Sequence, residues 1–118
     1  MESPDGKYLY FTKEKTPGIW KMPVAGGTET LVLPEFRSDL PGYWAAFDDG
    51  VYYLRKGVSG EEIAFFSFAT HQSKRVVTLS GYADAWFGGM TVSPDRRWVV
   101  FSQRQYFSSE ILFADNVR

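Results

Sequence analysis

Ser3-Pro4-Asp5-Gly6-Lys7-Tyr8-Leu9-Tyr10-Phe11 returns ninety residues later as Ser93-Pro94-Asp95-Arg96-Arg97-Trp98-Val99-Val100-Phe101. Between them stands a degenerate copy, Phe47-Asp48-Asp49-Gly50-Val51-Tyr52-Tyr53-Leu54, with Asp49 placed 44 residues after Asp5 and 46 before Asp95. The segments downstream keep the same beat. Ile19-Trp20-Lys21-Met22 is echoed by Ile63-Ala64-Phe65-Phe66 and by Ile111-Leu112-Phe113-Ala114, and Thr30-Leu31-Val32-Leu33 by Val76-Val77-Thr78-Leu79.

A period of about 45 residues with several strands in each period is the pattern of a propeller blade. The punctuation inside a period supports strands. Pro4-Asp5-Gly6 suits a turn, because Pro presets φ, Asp bonds its own backbone and Gly accepts positive φ. Tyr8 to Thr12, Ile19 to Met22 and Glu29 to Leu33 then read as strands, separated by Thr16-Pro17-Gly18 and Pro23-Val24-Ala25-Gly26-Gly27. Tyr43 to Phe47 opens the next blade. The strands are apolar on both alternate sets: Ile63, Phe65 and Ser67 on one, Ala64, Phe66 and Phe68 on the other. A sheet with one wet face would alternate with polar residues. Two apolar faces suit a blade packed between two neighbours. A β-sandwich with fully buried strands shares that trait but leaves the Ser-Pro-Asp phase unexplained. Helices are disfavoured by the many Phe, Tyr, Val and Ile, which lose rotamer freedom there.

The motifs Ser-Pro-Asp-Gly-Lys, Ile-Trp, Gly-Gly and Thr-Glu-x-Leu-Val resemble the TolB-type, WD-like β-propeller repeat. The first copy, Ser3 to Leu33, matches well, and the third, Ser93 to Ala114, matches in its first half with Arg96 in place of the turn glycine. In that family the Ser-Pro-Asp-Gly segment joins a blade's innermost strand to its second. The resemblance therefore implies an all-β propeller arc of four-stranded antiparallel blades with about ten strands. Its parts are the second, third and outer strands of one blade, one complete blade, and the inner, second and third strands of another. The expected divisions are 1–40, 41–80 and 81–118. Propeller rings have four to eight blades, and such units need neighbours to bury their faces. The expected partner is therefore a second copy of the chain, as a homodimer or higher homo-oligomer of about six partial or complete blades. The alternatives implied by the resemblance are a sensor or ligand-binding segment of a TolB-like, winged-helix regulator, or the non-catalytic propeller part of a serine peptidase.

Composition narrows the function classes. The chain has 118 residues, 44% hydrophobic and 23% charged, which suits one globular domain. Aromatics reach 18%, and aromatics favour strands. A net charge of -1 opposes a nucleic-acid clamp. With no cysteine and one histidine, His71, thiolate and multi-histidine metal sites are excluded. No apolar run approaches the roughly 18 residues of a membrane span. Met1 to Gly6 is acidic and polar, unlike a signal peptide. The expected compartment is cytoplasmic if Met1 is the native start and periplasmic if the chain is a fragment.

The candidate chemistry is sparse. Gly57-Val58-Ser59-Gly60 is not a nucleophile elbow, so His71 has no triad. Asp48-Asp49 and Glu61-Glu62 are neighbours in sequence, and strand neighbours point to opposite faces, so adjacency builds no acid–base pair. No calcium loop is present. Ala25-Gly26-Gly27-Thr28 lacks the Gly-Lys-Ser/Thr of a phosphate loop. No catalytic residue, metal or cofactor is expected. One loop pair stands out. Arg37 to Trp44 and Ser80 to Gly89 each place aromatics after a polar, glycine-containing stretch on the way into an inner strand. In propellers these connectors rim one mouth of the central channel. Arg37, Asp39, Tyr43, Tyr82, Asp84 and Trp86 form the candidate channel-mouth binding set, against the alternative that the aromatics are wedges between blades.

Overall fold

A computed structural model describes residues 1–37, 39–40, 42–81, 83, 88–105 and 108–115. Ten strands run in chain order among these residues: β1 Tyr8–Thr12, β2 Ile19–Pro23, β3 Thr30–Leu33, β4 Trp44–Phe47, β5 Gly50–Gly57, β6 Gly60–Ser67, β7 Ser73–Thr78, β8 Met90–Val92, β9 Trp98–Gln105 and β10 Ser108–Asp115. All pair antiparallel with their sequence neighbours, in sheets β1-β2-β3, β4-β5-β6-β7 and β8-β9-β10. This is the strand plan that the repeat implied: a blade without its full inner strand, a complete blade, and a blade ending at its third strand. Residues 1–3 occupy the inner position of the first sheet. The Met1 ammonium donates to the Tyr10 carbonyl at 2.6 Å, and Glu2 bridges Leu9.

The repeat extends to the hydrogen bonds. Ser3 Oγ donates to Asp5 Oδ1 at 2.6 Å, and Ser3 Oγ and Asp5 Oδ1 accept from the amides of Tyr8 and Lys7, each at 3.0 Å. Ser93, Asp95, Trp98 and Arg97 make the same bonds at 2.6, 3.0 and 3.0 Å. The third turn residue sits in the left-handed region both times, Gly6 at φ 73° and Arg96 at φ 60°. A second signature also recurs. The register shifts between Ile19 and Trp20 in the β2–β3 pairing, and between Ile63 and Ala64 in the β6–β7 pairing. These pairs are equivalent in the repeat, and such bulges sharpen strand twist, which is what a fanned blade requires.

The central sheet uses both faces. Ala46, Val51, Tyr53 and Ala64 pack with Tyr10, Ile19 and Leu33 of the first sheet. Ala45, Tyr52, Leu54 and Ile63 pack with Val92, Val99 and Phe101 of the third. The alternate sets of β5 and β6 thus serve two interfaces, as their two-sided apolarity implied. The tight Phe47–Gly50 hairpin depends on Gly50, where a Cβ would lie 2.1 Å from the Phe66 carbonyl oxygen and 2.4 Å from Phe65 Cζ. The β5–β6 hairpin is longer than the apolar runs suggested. Arg55 faces Glu62 and Lys56 faces Glu61 across the strands, and opposite charges at paired positions prolong a ladder. Near the propeller axis the inner-strand entrances of the second and third blades touch through glycines. The Met90 amide donates to the Gly42 carbonyl at 2.9 Å, and a Cβ on Gly42 would come within 2.8 Å of the Gly88 oxygen.

Candidate functional site

The connector from β3 into β4 brings Arg37 and Asp39 together. Arg37 holds Asp39 with two parallel hydrogen bonds, Nε to Oδ1 at 3.1 Å and Nη2 to Oδ2 at 2.9 Å, and donates Nη1 to Glu61 Oε1 at 3.1 Å. The other Glu61 oxygen accepts the Ala83 amide at 2.6 Å. The hydrogen bonds from Arg37 hold the Asp39 carboxyl below the usual carboxylate range. Glu61, which sequence reasoning weighed only as a neighbour of Glu62, ties both blade connectors to the β5–β6 hairpin. The signal for it was the Glu61-Glu62 pair itself. The two carboxylates do point apart, Glu61 to Arg37 and Glu62 to Arg55, whose Nε lies 2.8 Å from Glu62 Oε2.

Tyr43 stands directly before β4. It is 1% exposed within the cluster between the second and third blades. Its hydroxyl donates to the Ser102 carbonyl at 2.9 Å, with the Ser102 hydroxyl at 3.1 Å. Tyr82, Asp84 and Trp86 lie outside the described residues.

At the opposite end of the central blade, Arg96 reaches across to the second blade. Its guanidinium binds the Asp49 carboxylate through both terminal nitrogens and lies 4.3 Å from the Phe47 ring centre. The hydrogen bonds from Arg96 hold Asp49 below its ordinary carboxylate range. A non-glycine residue at positive φ is unfavourable by about 1–2 kcal/mol. The contacts between blades give a reason for arginine at that place. His71 is exposed in the β6–β7 turn at φ 56°, with its amide donating to the Ser67 carbonyl at 2.8 Å. Among the described residues no group of three or more His, Cys, Asp or Glu is placed to hold a metal ion.

The two terminal blades carry open faces. In the first, Tyr8 and Tyr10 point toward the second blade, so Leu9 and Phe11 point away. Leu9 is paired with Met22, Phe11 with Trp20, and Trp20 with Leu31. Leu9 is 40% and Leu31 42% exposed. Lys13 rims this apolar face, its ammonium 3.9 Å over the Trp20 ring and 2.6 Å from Glu29. The Trp20 Nε1 is buried with no hydrogen-bond acceptor. In the third blade Val99 and Phe101 point inward, which leaves Val100 and Trp98, 41% exposed, on the far side.

No protein-family model matches the sequence, and no curated protein is similar to it by sequence alone. Solved structures are similar in shape. TolB from Acinetobacter baumannii matches with a TM-score of 0.71 at 20% identity, over 97% of this chain and 28% of that one. The fold is that of the TolB-type β-propeller. A protein assigned as a TolB from Agrobacterium tumefaciens gives a TM-score of 0.69 at 22% identity, over 97% of this chain and 40% of the other. The chain thus spans between a quarter and two fifths of the TolB chains it matches, which fits an arc of the TolB-type ring. The likeness concerns the fold, and the roles of TolB are not carried over by it.

Proposed function

We propose that the chain is a non-catalytic TolB-type propeller module that works by assembly. The open face of its first blade meets the open face of the third blade in a second copy. The observation that carries this reading is the apolar outer face of the first sheet, Leu9, Phe11, Trp20, Met22 and Leu31. The internal repeat supplies the geometry. First and second blades, and second and third, already pack head to tail through equivalent faces. The same contact made between copies reuses that interface and removes apolar surface of a kind that soluble monomers rarely leave in water. Catalysis has no support in the described site: the paired carboxylates diverge, and Arg37, Asp39 and Glu61 satisfy one another.

The experiment is sedimentation equilibrium of the 118-residue chain across micromolar concentrations, beside the variant Leu9→Lys/Leu31→Glu. A dimer or larger species that dissociates in the variant supports self-assembly. A folded wild-type monomer at every concentration refutes it, and then the covering blades must come from elsewhere, as in a longer propeller chain.

A further inference from the structure

The rim of the third sheet is open. β3 pairs with β2 and β7 with β6, so the first and second blades each carry an outer strand. In the repeat β10 stands where β2 and β6 stand, yet among the described residues it pairs with β9 alone. The edge it presents is eight residues long, against four for β3 and six for β7. Proteins blunt exposed edges by keeping them short or by placing lysine and proline on them. β7 is blunted by Lys74 and Arg75, both exposed. β10 reads Ser-Ser-Glu-Ile-Leu-Phe-Ala-Asp, which has no lysine or proline and runs four apolar residues together.

The chain itself shows what such an edge accepts. Glu62-Ile63-Ala64-Phe65 of β6 returns 48 residues later as Glu110-Ile111-Leu112-Phe113 of β10. β6 takes β7 as its outer strand, with Thr78 opposite Glu62, Val77 opposite Ile63, Arg75 opposite Ala64 and Lys74 opposite Phe65, and Val76 in the register shift. The same register on β10 sets a threonine against Glu110, an aliphatic residue against Ile111 and two cations against Leu112 and Phe113. β10 itself carries two acids and no base. A strand that is basic and then aliphatic therefore suits it in charge as well as in register. The first blade agrees in outline: Leu33 stands opposite Ile19, and Val32 lies in the shift.

We propose that the β10 edge is a docking site for an extended peptide segment of the pattern basic-basic-Val-aliphatic-Thr, added antiparallel as the fourth strand of the third blade. Main-chain hydrogen bonds along the edge supply affinity, and the alternating side chains supply specificity. The added strand lies about 4.8 Å outward from β10, at the rim and clear of the sheet faces that self-assembly uses. The site therefore stands whether or not the chain self-associates.

The test is an amide titration of the full chain, by chemical shift and by hydrogen exchange, with a capped synthetic peptide that copies Gln72–Leu79. The expected result is saturable shifts centred on β10, with half-saturation at or below about 1 mM, and slowed exchange at alternate β10 amides, those directed away from β9. Within the peptide, Val77→Pro removes a ladder donor and should weaken binding about tenfold or more. Lys74→Glu with Arg75→Glu should weaken it about threefold at low salt. Both changes are made in the peptide, so the folding of the chain is the same throughout. The Leu9→Lys/Leu31→Glu chain should bind the peptide equally well, which separates the fate of this site from that of self-assembly. Shifts that do not saturate, or a proline peptide that binds as tightly as its parent, overturn the proposal. Shifts centred on β6 and β7 assign the binding to exchange with the chain's own outer strand and overturn it too. So do β10 amides that become protected without peptide as the protein concentration rises, which assigns the edge to a second copy.

Discussion

Replacing Arg96 separates the two opposed effects at this residue. Its backbone is strained, with φ at 60°, and its side chain ties the third blade to the second. Arg96→Ala keeps the strain and deletes the tie. The lost ion pair contributes only about 0.5 kcal/mol, because Asp49 is 61% exposed and solvent screens the pair. The lost cation–π contact with Phe47 adds about 0.5–1 kcal/mol. The alanine variant should therefore lose about 1–1.5 kcal/mol by these two contributions. Arg96→Gly loses the same contacts but releases about 1 kcal/mol of left-handed strain, so it should fall within about 0.5 kcal/mol of the wild type. For a chain of 118 residues, 1 kcal/mol moves Tm by about 4 °C. Urea and thermal unfolding should then rank wild type and glycine close together and alanine about 4–6 °C lower. Adding Asp49→Ala to Arg96→Ala should change little, since the partner is already gone. The carboxyl of Asp49 has a lowered pKa in the folded state. Its contribution is present above the ordinary aspartate pKa of about 4 and fades as pH falls through the folded value. The wild-type advantage over Arg96→Ala should accordingly be full at neutral pH and smaller in acid. A glycine variant as unstable as the alanine variant, or a gap that persists unchanged in acid and high salt, would refute this account.

Three further outcomes are expected. Gly50→Ala should destabilise by about 3 kcal/mol or more, since its methyl group would run into the Phe66 carbonyl and the Phe65 ring; urea unfolding measures it. Tyr43→Phe should cost about 1 kcal/mol with no change in oligomeric state, because it removes the bond to Ser102 and leaves the packing of the ring intact; a larger loss would show that the hydroxyl orders more than this contact. Ser3→Ala should destabilise by about 1–2 kcal/mol in thermal melts, as the Tyr8 amide loses its acceptor at a buried serine, and Ser93→Ala by less, because its bonds are exposed.

The burial of Tyr43 against the third blade comes with a contact made 59 residues away. Nothing near Tyr43 in sequence announces Ser102. The Arg37–Asp39 pair, two residues apart, was visible as a polar connector, but Glu61 joined it only when β6 came alongside. The facing of Arg55 with Glu62 and of Lys56 with Glu61, and the departure of Glu61 to Arg37, likewise follow from the hairpin register and the tertiary contact.

Residues close along the chain determined the strands, their turns and their two greasy sides, because φ preferences, Asx bonding and the two-residue alternation of a strand act over a few positions. Tertiary structure alone decided which charges are neutralised and which stay open. Those partnerships form across blades, where the fan angle and the recurring bulges set which side chains meet, and no local pattern encodes that angle.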